Sequence, residues 1–290
     1  MRFARAQRMI ESVVETVWAR GFFAAWRPFT SPPVSAGVGS GPRILVVAPH
    51  PDDETLGCGG SIVLHRRAGH AVTVVIMTDG RGSTVTTPAA RRLESMAAAE
   101  VLGGTWRRFE LPEGAWALDR GTDHLVAILS DVRPDLVYGP SCVDYHPEHV
   151  KVAVALGRAL TAVSPQSRVR AFEIGVPLTP ILTNCRVDVE PVRAIKQQAL
   201  AAYRSQRATI DTIRRLNRYT RRLCGTSGEA EVFWETSART YGRIMSAAPL
   251  PDARQFYGVR SRPFGDPLCY LVGLRARSRM RRLARQDEPA

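Results

Sequence analysis

Lysine is almost missing from this 290-residue chain: of its 40 basic residues only Lys151 and Lys196 are lysine, and the rest are arginine. Paired cysteine is missing too. Cys58, Cys142, Cys185, Cys224 and Cys269 are odd in number, widely scattered and never in a CxxC pair, which excludes a disulfide framework or a cysteine-based zinc site and fits reduced thiols. No run of 18 apolar residues occurs, so a membrane-spanning helix is not expected. Glu11 and Glu15 interrupt what would be the apolar centre of a signal peptide, and a cytoplasmic setting is expected. The net charge of +13 crowds into 193–222 and 275–285, yet no nucleic-acid-binding motif accompanies it, and no nucleic-acid partner is expected.

What is present is a regular alternation of apolar strands and helices. Residues 8–27 place Ile10, Val13, Val14, Val17, Trp18, Phe22, Phe23 and Trp26 at helical spacing, so 1–29 reads as an amphipathic helix. Its apolar face suits docking on its own domain, self-association or a peripheral membrane contact. The composition of 30–42, "TSPPVSAGVGSGP", predicts a linker. Strands are then expected over 44–48, 71–77, 106–111, 136–138 and 169–176, with helices over 61–68, 91–102, 124–132 and 149–161 between them. Short strands at 187–189 and 231–234 and helices over 192–203 and 210–223 follow. The fold class expected is α/β: a Rossmann-like, mostly parallel sheet with helices on both faces. Residues 43–250 are taken as one domain and 251–290 as a basic C-terminal extension.

In such sheets ligands bind at the C-terminal ends of strands, where strand order reverses. The stretch "APHPDDETLGCGG", Ala48–Gly60, puts a histidine and three acids at one such end. His50 and Asp53, three apart in a tight turn, can face one point, and one imidazole with one carboxylate begins a metal site that needs another ligand from elsewhere. The second cluster, "DYHPEHV" from Asp144 to Val150, follows a later strand and offers His146 and His149. Two such clusters after two strands can converge on one crevice. The glycines at 57, 59 and 60 do not form the GxGxxG of a dinucleotide site, and acids occupy the place of the pyrophosphate.

These residues resemble the LmbE-like, or PIG-L, zinc-dependent N-acetylglucosaminyl deacetylases. The family's AHPDDE motif stands here as Ala48 to Glu54 with Pro49 inserted, and its HPDH motif stands as His146, Pro147, Glu148, His149. Weaker matches are "TDG" at 78–80, "RRLESMAAAEVLG" at 91–103 and "KQQALAAYRSQ" at 196–206. The resemblance implies Zn²⁺, with Fe²⁺ or Co²⁺ able to replace it, held by His50, Asp53 and His149. It implies Asp52 as general base, His146 as the residue that steadies the oxyanion and protonates the leaving amine, and Arg91 as a substrate contact. Asp79 and Arg81, after the second strand, are placed to line the same crevice. Asp144 is the expected orienting partner of His146, Glu54 supports the acidic turn, and Glu148, in place of the usual Asp, is expected to have no chemical consequence. The implied reaction removes an acetyl group from an amino-sugar conjugate, with an amidase acting on another N-acyl group as the near alternative. Two His and one carboxylate also make the ligand set of non-haem Fe(II) oxygenases, but such an enzyme needs no base at Asp52.

Overall fold

A computed structural model of the chain describes residues 34–39, 41–83, 85–178, 181–223, 228–251 and 274–285, with Val17 and Gly21 as isolated positions. The amphipathic helix expected over 8–27 lies outside the described residues.

The run Ile44–Val47 forms the interior of β2 (Arg43–Ala48), and all four side chains are fully buried. A strand apolar on both faces must be covered on both, which places β2 at the centre of a parallel sheet. Ile44 and Val46 join one core cluster and Leu45 and Val47 the other, one cluster on each face. The chain then alternates: α1 (Asp53–Arg67), β3 (Ala71–Thr78), α2 (Pro88–Leu102), β4 (Thr105–Leu111), α3 (Leu118–Val132), β5 (Leu136–Gly139), α4 (Pro147–Val163) and β6 (Arg168–Phe172). Local signals fix several helix starts. Thr87 accepts a hydrogen bond from the Ala90 N–H with Pro88 at the first helical position, and His146 and Pro147 open α4 in the same manner.

After β6 come β7 (Cys185–Asp188), α5 (Arg193–Ala202), α6 (Arg207–Leu223), β8 (Ala230–Ser237), α7 (Ala238–Ser246) and α8 (Leu274–Arg285). With β1 (Val34–Ser35), the strands form one eight-stranded sheet in the order β1-β7-β8-β6-β5-β2-β3-β4. The pairs from β6 to β4 are parallel, and β8 runs antiparallel between β6 and β7. The expected mostly parallel Rossmann-like layer is therefore present.

Two details differ from the sequence reading. Val34 and Ser35, within the expected linker, pair with Cys185 and Arg186, so the linker contributes an edge strand. The first helix begins at Asp53 rather than Ser61 and absorbs the glycine-rich segment. It does so by breaking at Cys58, whose backbone (φ −148°, ψ 22°) is not helical. Gly57 and Gly60 are needed for close packing, because a Cβ at either would lie 2.7 Å from Phe172 or 2.6 Å from Val189. In the basic C-terminal segment, Met280 of α8 joins the core and the Arg277 guanidinium donates to the Pro177 carbonyl at 2.6 Å.

Candidate active site

Strand order reverses between β2 and β5, whose chains continue to β3 on one side and β6 on the other. His50–Asp53 follow β2, and His146–His149 follow β5. The two motifs thus meet at the crevice that this topology creates.

Three donor atoms converge there. His50 Nδ1 lies 3.1 Å from Asp53 Oδ2 and 3.2 Å from His149 Nε2, and the last two are 3.2 Å apart. A tetrahedral cation about 2.0–2.1 Å from each ligand needs donors about 3.3 Å apart, so the triangle has the size required. The three imidazoles of His50, His146 and His149 form a looser group, with donor atoms within 4.8 Å of one another. The tighter set with the carboxylate fits a cation better, because it contributes a negative charge in a buried place. Charge points the same way: burial opposes protonation of His50 and His149, yet Glu113 and Asp53 raise His50 to about 9, and Asp53 and Asp144 push His149 well above its ordinary value. The carboxylates of this pocket are arranged to hold positive charge.

Asp52 occupies the turn between β2 and α1 at φ 129°, a region that disfavours a side chain. The strained turn is held from two sides. The Asp52 N–H donates to Glu54 Oε2 at 3.1 Å, and the Arg91 guanidinium donates to the Pro51 carbonyl at 2.5 Å and to Asp52 Oδ2 at 3.1 Å. Burial raises the Asp52 carboxyl to about 7; Arg91 opposes the rise and Asp53 adds to it. Glu54 is fully buried, accepts from Thr55 Oγ1 and Tyr203 OH at 2.5 Å each, and supports the turn from beneath. Arg91 is 5% exposed, and both of its bonds to this turn come from one nitrogen of its guanidinium.

His146 lies at the rim, its ring centroid 4.6 Å from that of His50, with a fifth of its side chain exposed. Its Nδ1 accepts the Glu148 N–H at 3.3 Å, so the neutral ring carries its proton on Nε2. Burial, with the positive charge of His50 and His149, holds it well below the ordinary value. Asp144 does not orient the His146 ring, as its position in the sequence suggested. Its Oδ2 lies 2.8 Å from His149 Nδ1, and its Oδ1 accepts only the His146 backbone N–H. The short His149 contact fixes that ring with Nε2 turned to the triangle. Asp79 and Arg81 pair with each other at 2.6 Å, Arg81 largely exposed.

Two residues escaped the sequence reading. Glu113, in the loop after β4, brings Oε1 to 3.3 Å from His50 Nε2 and 3.8 Å from His146 Nε2. Glu148, expected to be without consequence, is buried, accepting from the Gly114 N–H at 3.1 Å and from Trp116 Nε1. The available signal was positional: "LPEGAW" follows a strand end, as the two motifs do.

A Rossmann-like α/β protein with a three-donor, cation-sized site at the sheet's switch point is the class that fold and site define. Residues 45–160 match the sequence model of the family described as PIG-L, GlcNAc-PI de-N-acetylase, a stretch that spans both motifs. A 1D-myo-inositol 2-acetamido-2-deoxy-alpha-D-glucopyranoside deacetylase of Actinosynnema mirum is 30% identical over 169 residues, 44% of this chain and 58% of its own length. The chain thus spans little more than half of that relative. A probable N-acetyl-alpha-D-glucosaminyl L-malate deacetylase 2 of Bacillus subtilis is 27% identical over 66% of this chain and 96% of its own. Among solved structures, the N,N'-diacetylchitobiose deacetylase of Pyrococcus horikoshii shares the fold, with a TM-score of 0.57 at 22% identity, covering 73% of this chain and 88% of that one.

Proposed function

We propose that this chain is a divalent-metal-dependent hydrolase that removes the acetyl group from an N-acetylglucosamine-type conjugate. The observation that carries the reading is the His50, Asp53, His149 triangle with Asp52 and His146 beside it. Relatives named as deacetylases of N-acetylglucosaminyl conjugates support it.

His50, Asp53 and His149 would hold the cation, which when bound supplies a Lewis acid and lowers the pKa of water toward about 7. Asp52 takes the proton from the attacking water, and a carboxyl near about 7 is matched to that task at neutral pH. Water oxygen bonds to the acetyl carbon. His146, held neutral, presents its Nε2–H to the crevice as a hydrogen-bond donor to the developing oxyanion. Asp52, now carrying the water's proton, passes it to the leaving nitrogen in place of the acid role that the resemblance implied for His146. The C–N bond breaks as that proton completes the amine, and the acetic acid formed leaves as acetate, its proton going to the amine. Zn²⁺ suits two imidazoles and a carboxylate, as do Fe²⁺ and Co²⁺.

Among the described residues no helix is long and apolar enough to cross a membrane. A peripheral contact through residues 8–27 is a finer part of the proposal, and absence of co-sedimentation of the full chain with anionic liposomes removes it. The test of the function is a screen of N-acetylglucosaminyl conjugates with metal-loaded protein, read by mass spectrometry for loss of acetyl. Turnover of other N-acyl conjugates alone would select the amidase alternative. An absolute requirement for oxygen would exclude both.

A further inference from the structure

His50 is the least tethered member of the triangle. His149 has Asp144 at 2.8 Å behind its ring, and Asp53 Oδ2 accepts the His50 backbone N–H at 2.9 Å. Behind the His50 ring stands Glu113, 3.3 Å from Nε2, a contact at ion-pair distance that falls short of a well-aligned hydrogen bond. Glu113 comes from a loop that is itself pinned at four points. Its Oε2 accepts the Gly82 N–H at 2.9 Å, and its own N–H donates to Asp79 Oδ1 at 3.2 Å. The next residue, Gly114, donates to Glu148 Oε1 at 3.1 Å, and Trp116 Nε1 donates to Glu148 Oε2. Glu148 lies between His146 and His149, so the segment that supplies the second motif also holds the loop behind the first.

We propose that Glu113 is a positioning residue that accepts a hydrogen bond from the Nε2–H of His50 and so turns Nδ1 to the cation, and that Glu148 holds the Glu113 loop in place for this. A carboxylate behind a metal-binding imidazole fixes its tautomer and raises its basicity, and losing one typically costs about 10- to 100-fold in metal affinity. The proposal rests on the metal reading above. It also assigns a task to Glu148: its carboxylate spans two donors of the 114–116 turn, so the position is structural for the site without being a ligand.

The experiment titrates Co²⁺ alone into metal-stripped full-length protein against a chromophoric chelator, recording the visible Co²⁺ spectrum, for wild type, E113A, E113Q and E148Q. E113A is expected to weaken binding about 10-fold or more. E113Q is expected to lose half as much on a logarithmic scale, about threefold, because its amide oxygen still accepts a bond that charge makes roughly twice as strong. E148Q should shift affinity in the same direction, and the Co²⁺ band should change in E113A and recover in E113Q. E113A or E113Q within 1.5-fold of wild type, with an unchanged spectrum, overturns the proposal. Wild-type protein that takes up no Co²⁺ overturns the metal reading and this one with it.

Discussion

Replacing Glu231 should cost more stability than any single surface change, for a reason that lies in the break at Cys58. An unbroken helix would hydrogen-bond the Gly60 N–H to the Leu56 carbonyl, and the non-helical backbone of Cys58 lies between the two. Both groups stay buried and both find substitutes: Gly60 N–H donates to Glu231 Oε1 at 2.7 Å, and the Leu56 carbonyl accepts from Lys196 Nζ at 3.1 Å. Glu231 Oε2 also accepts from the N–H and hydroxyl of Ser61, at 2.9 and 2.6 Å, and Lys196 Nζ stands 2.6 Å from Oε1. E231A strands a buried ammonium, worth about 3–5 kcal/mol when one partner of a buried pair is removed, and orphans two N–H groups at about 1–3 kcal/mol each. Water entry and relaxation will recover part of this, so we expect a net loss of about 4 kcal/mol or more. K196M leaves the carboxylate with its three other donors and should lose about 2 kcal/mol. Equilibrium unfolding in urea, followed by far-UV circular dichroism, measures both. A loss below about 1 kcal/mol for E231A, or a larger loss for K196M than for E231A, would refute the argument.

Two further outcomes follow from buried titratable groups. D52N should lower the deacetylation rate about 10²- to 10⁴-fold, as expected for loss of a general base, while leaving Co²⁺ affinity within a few-fold of wild type; equal loss of both would make Asp52 a ligand. His65 is fully buried between Tyr138 and His70, and burial, then His70 and Arg170, lowers it to about 3 from the ordinary 6.5. Between those values the unfolded chain binds the proton and the folded chain does not, so stability is complete above about pH 6.5 and falls as pH drops toward 3. The difference between wild type and H65Q, compared at pH 7 and pH 5, should therefore shrink by about 2 kcal/mol, and a pH-independent difference would contradict the assignment.

How much of this was legible in the sequence depended on range. The strand-helix alternation from β2 to α4 was readable because each signal is local: the apolar runs of β2 and β3, the proline openings of α2 and α4. The two motifs were readable because each places its acid and imidazoles within a few residues of a strand end. The break at Cys58 was not, since its substitute partner Glu231 is 171 residues beyond Gly60 and no local pattern announces it. For the same reason "KQQALAAYRSQ" could be seen but not explained. The structure shows Lys196 on the break, Tyr203 on Glu54 and Ser205 on Glu94, three grips on the helices that carry the site. Glu113 was illegible as a lone acid in a loop. The insertion of β8 between β6 and β7 is equally a matter of long-range pairing.

The central claim is that His50, Asp53 and His149 form a metal site that serves acetyl removal with Asp52 as base. Its most direct measurement is acetate release from an N-acetylglucosaminyl conjugate, under anaerobic conditions, as Zn²⁺ is added stepwise to stripped protein. The rate should start near zero, rise in proportion to metal and level off at one equivalent, with H149A failing to respond. Full acetate release by stripped protein in excess chelator, or an unchanged response in H149A, would contradict the account.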